Sequence, residues 1–237
     1  MKIVGHRGVR ALRPENTMVS FEYALELGLY GIETDIRMSA DGELVLIHDA
    51  TVDRTTNGCG NVCDFTFEEL KALDAGSWFS KEYAGERIPS FREFLELIKG
   101  KDIFLNIEIK DAREDITEKT IKMLESYNIQ KENFVIASFH SSVTDYAIKK
   151  YNLNTQGFPL EYYEESERPQ SYDGFYSIGI GMNDLTKQFC DEMKKHNIEP
   201  WCWCPDTKEQ VELAISCGSP LATVNNPLPA LEILGGK

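Results

Sequence analysis

Short runs of alternating or continuous apolar residues, each followed by a stretch with apolar positions three and four apart, recur along most of this chain. A period near two marks a strand and a period near 3.6 a helix. Residues 2–5 are apolar and end in Gly5-His6-Arg7-Gly8, so a strand feeds a tight turn. A polar loop through Pro14-Glu15-Asn16-Thr17 leads to Phe21, Ala24 and Leu25 at helical spacing, with Asn16 or Thr17 as N-cap and Gly28 as the stop. The stretch 31–38 alternates: Ile32, Thr34 and Ile36 take one face, Glu33, Asp35 and Arg37 the other. Ala40-Asp41-Gly42 is a hairpin signal. The returning strand, 44–47, ends at His48-Asp49 and so carries His48 back beside Glu33 and Asp35.

Residues at about 50–90 break this rhythm. They are Gly-rich and polar at first, with a short capped helix at 65–70 and unphased bulk from Trp78, Phe79 and Tyr83. An insertion that packs over one end of a single domain spanning 1–237 accounts for them. Phe91, Phe94, Leu95 and Ile98 then form one face of an amphipathic helix over 90–99. Strand 103–110 sets Ile103, Leu105, Ile107 and Ile109 against Asn106, Glu108 and Lys110. Helix 116–127, strand 134–139, helix 142–151 and strand 154–160 follow, then an acidic, Tyr-rich loop. Strand 174–180, helix 185–196, strand 199–204, helix 207–217 and strand 221–224 complete the series before a Pro-punctuated tail.

Strands alternating with helices pair in parallel, and eight of them close on themselves. The predicted fold class is therefore α/β, a TIM-type (β/α)8 barrel with a small insertion after the second-strand hairpin. An open doubly wound sheet is the rival, but no GxGxxG follows the first strand.

Composition narrows the partners. A net charge of −14 argues against nucleic acid and against stable insertion into an anionic membrane. A small anionic substrate stays compatible where a metal and a few cations reverse the field locally. No apolar signal region follows Met1-Lys2 and no run is long enough to span a bilayer, so a cytoplasmic location is expected. The six cysteines lack zinc-site spacing and read as reduced thiols without assigned chemistry. Outer helices of such barrels often pair, which allows a homodimer, although no interface is marked.

In such barrels, chemistry sits at the C-terminal ends of the strands. Glu33 and Asp35, two apart on one strand face, repel and call for a cation between them; Glu108 on the next barrel strand aims at the same point. Three carboxylates suit one hard divalent cation, Mg2+, Ca2+ or Mn2+. His6 and His48 emerge at the same mouth, with Arg7 and Lys110 beside them. Taken singly, each has a structural alternative: a surface histidine, or a cation balancing nearby carboxylates. Jointly they suit phosphoester chemistry. The metal would polarise a phosphoryl oxygen, Arg7 and Lys110 would stabilise charge, and two imidazoles would share the proton work.

His6-Arg7-Gly8, Pro14-Glu15-Asn16-Thr17, Glu33-x-Asp35, Asp41-Gly42, His48-Asp49, Asn106-x-Glu108-x-Lys110 and Ser138-Phe139 follow in the order and spacing of the glycerophosphodiester phosphodiesterases, which the chain resembles over nearly its whole length. The resemblance implies hydrolysis of small glycerophosphodiesters to glycerol 3-phosphate and an alcohol. It implies His6 and His48 as general acid and base, and Glu33, Asp35 and Glu108 as ligands of Mg2+ or Ca2+. It also implies water or the glycerol 2-hydroxyl as the nucleophile. The C-terminal third departs from the pattern. Trp201-Cys202-Trp203-Cys204-Pro205-Asp206 stands where the family shows Trp-Thr-Val-Asn, with Trp203 and Asp206 at the Trp and Asn positions. Val224-Asn225-Asn226-Pro227 stands for Thr-Asp-x-Pro. Phe139 and Trp203 are placed in the alcohol-side pocket, where substrate preference would be decided. Three alternatives compete: a lysophospholipase D using Trp78, Phe79 and Tyr83 as an acyl groove, a non-catalytic metal- or phosphate-binding barrel, and a sugar isomerase or an aldolase built on Lys110.

Overall fold

A computed structural model describes residues 1–235. In chain order the elements are β1 (Lys2–Gly5), α1 (Met18–Glu26), β2 (Gly31–Met38), β3 (Leu44–Leu46), α2 (Phe67–Ala72), α3 (Phe91–Ile98), β4 (Phe104–Ile109), α4 (Glu114–Ser126), β5 (Phe134–Ala137), α5 (Ser141–Tyr151), β6 (Thr155–Gly157), β7 (Ser177–Gly181), α6 (Lys187–Lys195), β8 (Glu199–Trp203), α7 (Lys208–Cys217), β9 (Leu221–Val224) and α8 (Leu228–Leu234). Parallel pairing runs from β2 through β4, β5, β6, β7, β8 and β9 to β1, and β1 returns to β2. The sheet closes as the eight-stranded TIM-type barrel that the apolar pattern predicts, and β3 lies antiparallel on β2 outside the ring.

Strand parity divides the residues. Ile32 and Ile36 turn outward and pack with Phe21 of α1 and Phe94 of α3 in the layer between sheet and helices. The opposite parity fills the barrel. Val4, Phe104, Val135, Trp201 and Leu221 form an apolar plug near the N-terminal ends of the strands. Glu33, Asp35, Asn106, Glu108 and Gln156 share that inward parity further along, so polar layers are stacked on an apolar floor.

The turn carrying His6 is sterically exacting. Gly8 has φ +83°, and a Cβ there would fall 2.3 Å from Ser20 Oγ of α1. Only glycine lets the loop lie this close to the first helix. Of the two N-cap candidates, the cap is Thr17, but its hydroxyl donates back to Pro14 O (2.6 Å) instead of accepting from the helix.

Two regions differ from expectation. The strand predicted over 154–160 is only Thr155–Gly157, and two short 3-10 turns, Leu160–Tyr162 and Glu165–Glu167, stand where a helix would follow. The Pro-punctuated tail forms α8, because Pro227 caps it and Pro229 sits in the first turn, where a missing N–H costs nothing.

The 50–90 segment has its own small core. Val52, Val62, Leu70, Ala75 and Ile88 pack on Val45 and Ile47 beneath the β2–β3 hairpin. Trp78, Phe79 and Tyr83 meet edge to face at 5.8 and 5.7 Å. Among the described residues, no helix is long and apolar enough to cross a membrane.

Candidate active site

The β2–β4 register sets Glu33 beside Asn106 and Asp35 beside Glu108. Parity turns all four inward, and one oxygen from each of Glu33, Asp35 and Glu108 lies within 4.8 Å of the other two. Burial raises the pKa of Glu33 well above the usual carboxylate range, and the charge on Asp35 adds to this. Burial acts on Asp35 in the same direction, yet Lys110 and Arg7 hold it well below that range. Lys110 Nζ lies 2.5 Å from Glu108 Oε1 and 3.1 Å from Asp35 Oδ1. Glu33 Oε1 is buried without a hydrogen bond, whereas Asp35 Oδ1 faces the Lys110 ammonium. An orphaned acceptor oxygen in an all-oxygen cluster fits a hard divalent cation, which needs no donor hydrogens around it.

Arg7 binds this cluster from below. Its backbone N–H donates to Glu33 Oε2 (2.8 Å), and its guanidinium lies 3.1 Å from Asp35 Oδ2 and 2.7 Å from Glu15 Oε1. Asn16 Nδ2 donates to Asp35 Oδ2 at 2.8 Å and its Oδ1 accepts from Thr34 at 2.9 Å. The guanidinium expected to meet substrate is thus already shared between two carboxylates.

His6 follows β1. Its Nδ1 lies 2.6 Å from Asn225 Oδ1 and 3.4 Å from Cys204 Sγ, and its Nε2 lies 3.9 Å from Glu33 Oε2. Burial, and then the nearby Arg7 charge, push its pKa down to about 3, so the ring is neutral. His48 sits across the β2–β3 hairpin, as its strand return predicts, with Nδ1 2.6 Å from Asp49 Oδ1. Burial lowers its pKa too.

Arg54, from the insertion, is a residue that sequence reasoning missed and that no motif signals. It donates to Asp49 Oδ2 (2.6 Å) and to both oxygens of Glu15 (2.8 and 2.9 Å). It thereby ties the His48 loop to the buried Arg7–Glu15 pair. Although burial opposes it, Arg54 and Arg7 pull the Glu15 pKa down to about 2. A carboxylate depressed in the folded state stabilises the fold above its unfolded pKa, and that contribution is lost as pH falls through the folded value. Glu15→Gln should therefore cost roughly 3 kcal/mol at pH 7, from a pKa difference of about 2.5 units. The gap to the parent should close between pH ~4.5 and ~2. Urea unfolding across that range measures it; a gap independent of pH would contradict the assignment.

A cavity of about 220 Å3 opens above these groups. Every sequence-predicted site residue lines it (His6, Arg7, Glu33, His48, Glu108, Lys110, Phe139 and Trp203) except Asp35, which is fully buried beneath. Phe158, not foreseen, stacks on Phe139 with ring centroids 3.6 Å apart, and Trp203 Nε1 is buried without a partner. Asn106 and Gln156 also reach the cavity, joined by a 2.9 Å hydrogen bond. The insertion aromatics Trp78, Phe79 and Tyr83 are absent from its lining. Cys204, one of six free thiols, had no expected role and lies against His6.

Residues 6–227 match the model of the glycerophosphoryl diester phosphodiesterase family. A glycerophosphodiester phosphodiesterase of Caldanaerobacter subterraneus is 41% identical over 226 residues, covering 91% of this chain and 90% of that protein. An Agrobacterium tumefaciens glycerophosphodiester phosphodiesterase superposes with a TM-score of 0.83 at 26% identity, covering 97% of this chain and 98% of the other. An Oleispira antarctica phosphodiesterase, solved with the product sn-glycerol 3-phosphate, superposes with a TM-score of 0.90 at 23% identity, covering 99% and 97%.

Proposed function

The chain belongs to the glycerophosphodiester phosphodiesterase family and is a phosphoric diester hydrolase, and from that premise we propose a metal-dependent reaction in which His6 and His48 divide the proton transfers. The substrates are small glycerophosphodiesters, and the products are glycerol 3-phosphate and an alcohol. The observation that carries this reading is the meeting, at one cavity and its floor, of a three-carboxylate cluster and two imidazoles with different partners. We read the barrel and the 50–90 insertion as one catalytic domain, with Arg54 as the brace between them. The free thiols fit the cytoplasmic location expected from the sequence.

Glu33, Asp35 and Glu108 would hold the divalent cation, Mg2+ or Ca2+, which supplies Lewis-acid polarisation of a phosphoryl oxygen when bound. Lys110, 2.5 Å from Glu108, offsets the surplus negative charge that would otherwise repel a phosphodiester. His6, neutral and with Nδ1 occupied, offers its Nε2 lone pair as the base that takes a proton from the attacking hydroxyl. His48 Nδ1 rests against the Asp49 carboxylate, which works against the lowering of its pKa by burial, and His48 would give its proton to the leaving alkoxide from the imidazolium form. Phe139, Phe158 and Trp203 wall the side of the cavity where the alcohol lies.

Glycerol 3-phosphate release from glycerophosphocholine and glycerophosphoethanolamine tests the reading. Metal-stripped protein should be inactive, and either Mg2+ or Ca2+ should restore turnover. Turnover unchanged by thorough chelation would rule out the metal. Turnover only on detergent-dispersed lysolipid would replace the small-substrate reading with the lysophospholipase one.

A further inference from the structure

The side chain of Asn225 lies between an acid and an imidazole. Its Nδ2 is 2.6 Å from Asp206 Oδ2, and its Oδ1 is 2.6 Å from His6 Nδ1. The other oxygen of Asp206 accepts from the backbone N–H of Asn225 (2.7 Å) and of Asn226 (3.0 Å). Carboxylates only accept, so the amide edge facing Asp206 is the NH2 and the edge facing His6 is the carbonyl. A carbonyl at Nδ1 requires a proton on Nδ1. Neutral His6 is consequently the Nδ1–H tautomer, with its lone pair on Nε2, the nitrogen nearer Glu33.

We propose that Asp206 and Asn225 are positioning residues that fix the ring and the tautomer of His6 for proton abstraction. This rests on the reading of His6 as the base. Neither residue reaches the cavity lining, so neither acts on substrate directly.

The sequence supports a linked pair. At the two positions where the family pattern has Asn and then Asp, this chain has Asp206 and Asn225, so acid and amide have exchanged places. In this chain a neutral carbonyl, and not a carboxylate, meets His6. His48, by contrast, keeps a carboxylate on its Nδ1. Cys204 Sγ, 3.4 Å from His6 Nδ1, is the competitor: a thiol donating there would support the opposite tautomer. The Asn225 carbonyl is nearer and the stronger partner, and Asp206 keeps it turned toward the ring.

The test compares Asp206→Asn, Asn225→Asp and the double exchange in the metal-loaded enzyme. Asp206→Asn frees the Asn225 amide to rotate, and Asn225→Asp sets two carboxylates against each other. Each single variant should lose about 10–100-fold in kcat, the scale of lost support behind a functional imidazole. KM should stay nearly unchanged, because substrate contacts are untouched. The double exchange restores the acid–amide contact and should recover most of kcat, which a merely folded or unfolded distinction would not produce. With only four histidines, imidazole 15N spectra resolve the tautomer directly. His6 should be Nδ1-protonated in the parent and mixed in Asp206→Asn. Singles with parental kcat, or a double variant no better than the singles, would overturn the relay. His6→Ala separates the two readings: if it abolishes turnover while the singles do not, the relay fails and the base assignment stands; if it retains turnover, both fail.

Discussion

His48→Ala should lower turnover of an unactivated glycerophosphodiester by about 10²–10⁴-fold, the range for losing a positioned proton donor or acceptor. The fold should survive. His48 is partly exposed, and its partner Asp49 keeps the Arg54 guanidinium at 2.6 Å when the imidazole is gone. A leaving-group comparison separates its role from that of His6. An alkoxide needs a proton as the P–O bond breaks, whereas a nitrophenolate departs without one. His48→Ala should therefore recover most of its activity on a nitrophenyl diester, and His6→Ala, which removes the base, should be impaired on both substrates. Equal losses on the two substrates for His48→Ala would sink its assignment as the acid. Full activity on both would remove it from the proton chemistry altogether.

The parts legible from sequence were those written in short-range periodicity. Alternation over 31–38 and 103–110 tells which of Glu33, Asp35, Asn106 and Glu108 share a face, and the observed register confirms that they meet. The hairpin signal at Asp41-Gly42 returns His48 to the same place, because a tight turn fixes register within a few residues. Groups that arrive from distant segments were not legible. Arg54 comes from an insertion without periodicity, and Asn225 reaches His6 across 219 positions. No local pattern encodes such contacts; barrel closure makes them. The β6–β7 link shows a third limit. Its Tyr- and Glu-rich stretch carries no helical face to bury, and short 3-10 turns suffice where Phe158 and Tyr163 pack inward. Arg7 is a case of right place and different occupation: motif order sets it at the mouth, but two buried carboxylates have claimed its guanidinium.

Removing one carboxylate of the cluster should separate metal affinity from the rest of the site, and Glu108→Gln is the cleanest choice. Asp35 also compensates Arg7 and Lys110 and accepts from the Asn16 amide, so its loss would leave buried cations uncovered at a cost of about 3–5 kcal/mol. Glu33 holds the backbone N–H of Arg7 in the turn that carries His6. Glu108 is the least buried of the three and pairs only with Lys110, which keeps Asp35 at 3.1 Å in the variant. Gln preserves the shape and one ligand oxygen but withdraws a full charge from a hard-cation site, where affinity follows the charge count. Calorimetric titration of the metal-stripped variant should show Mg2+ or Ca2+ bound on the order of 100-fold more weakly. The same change should appear in stability. At a metal concentration of about 100 times the parent dissociation constant, bound cation stabilises the parent by about 2.7 kcal/mol; the variant, then near half-saturation, gains only about 0.4 kcal/mol. Thermal unfolding with and without metal reads that difference without any reference to turnover. A variant stabilised by metal as strongly as the parent would take Glu108 out of the ligand set and leave it as the counter-charge of Lys110.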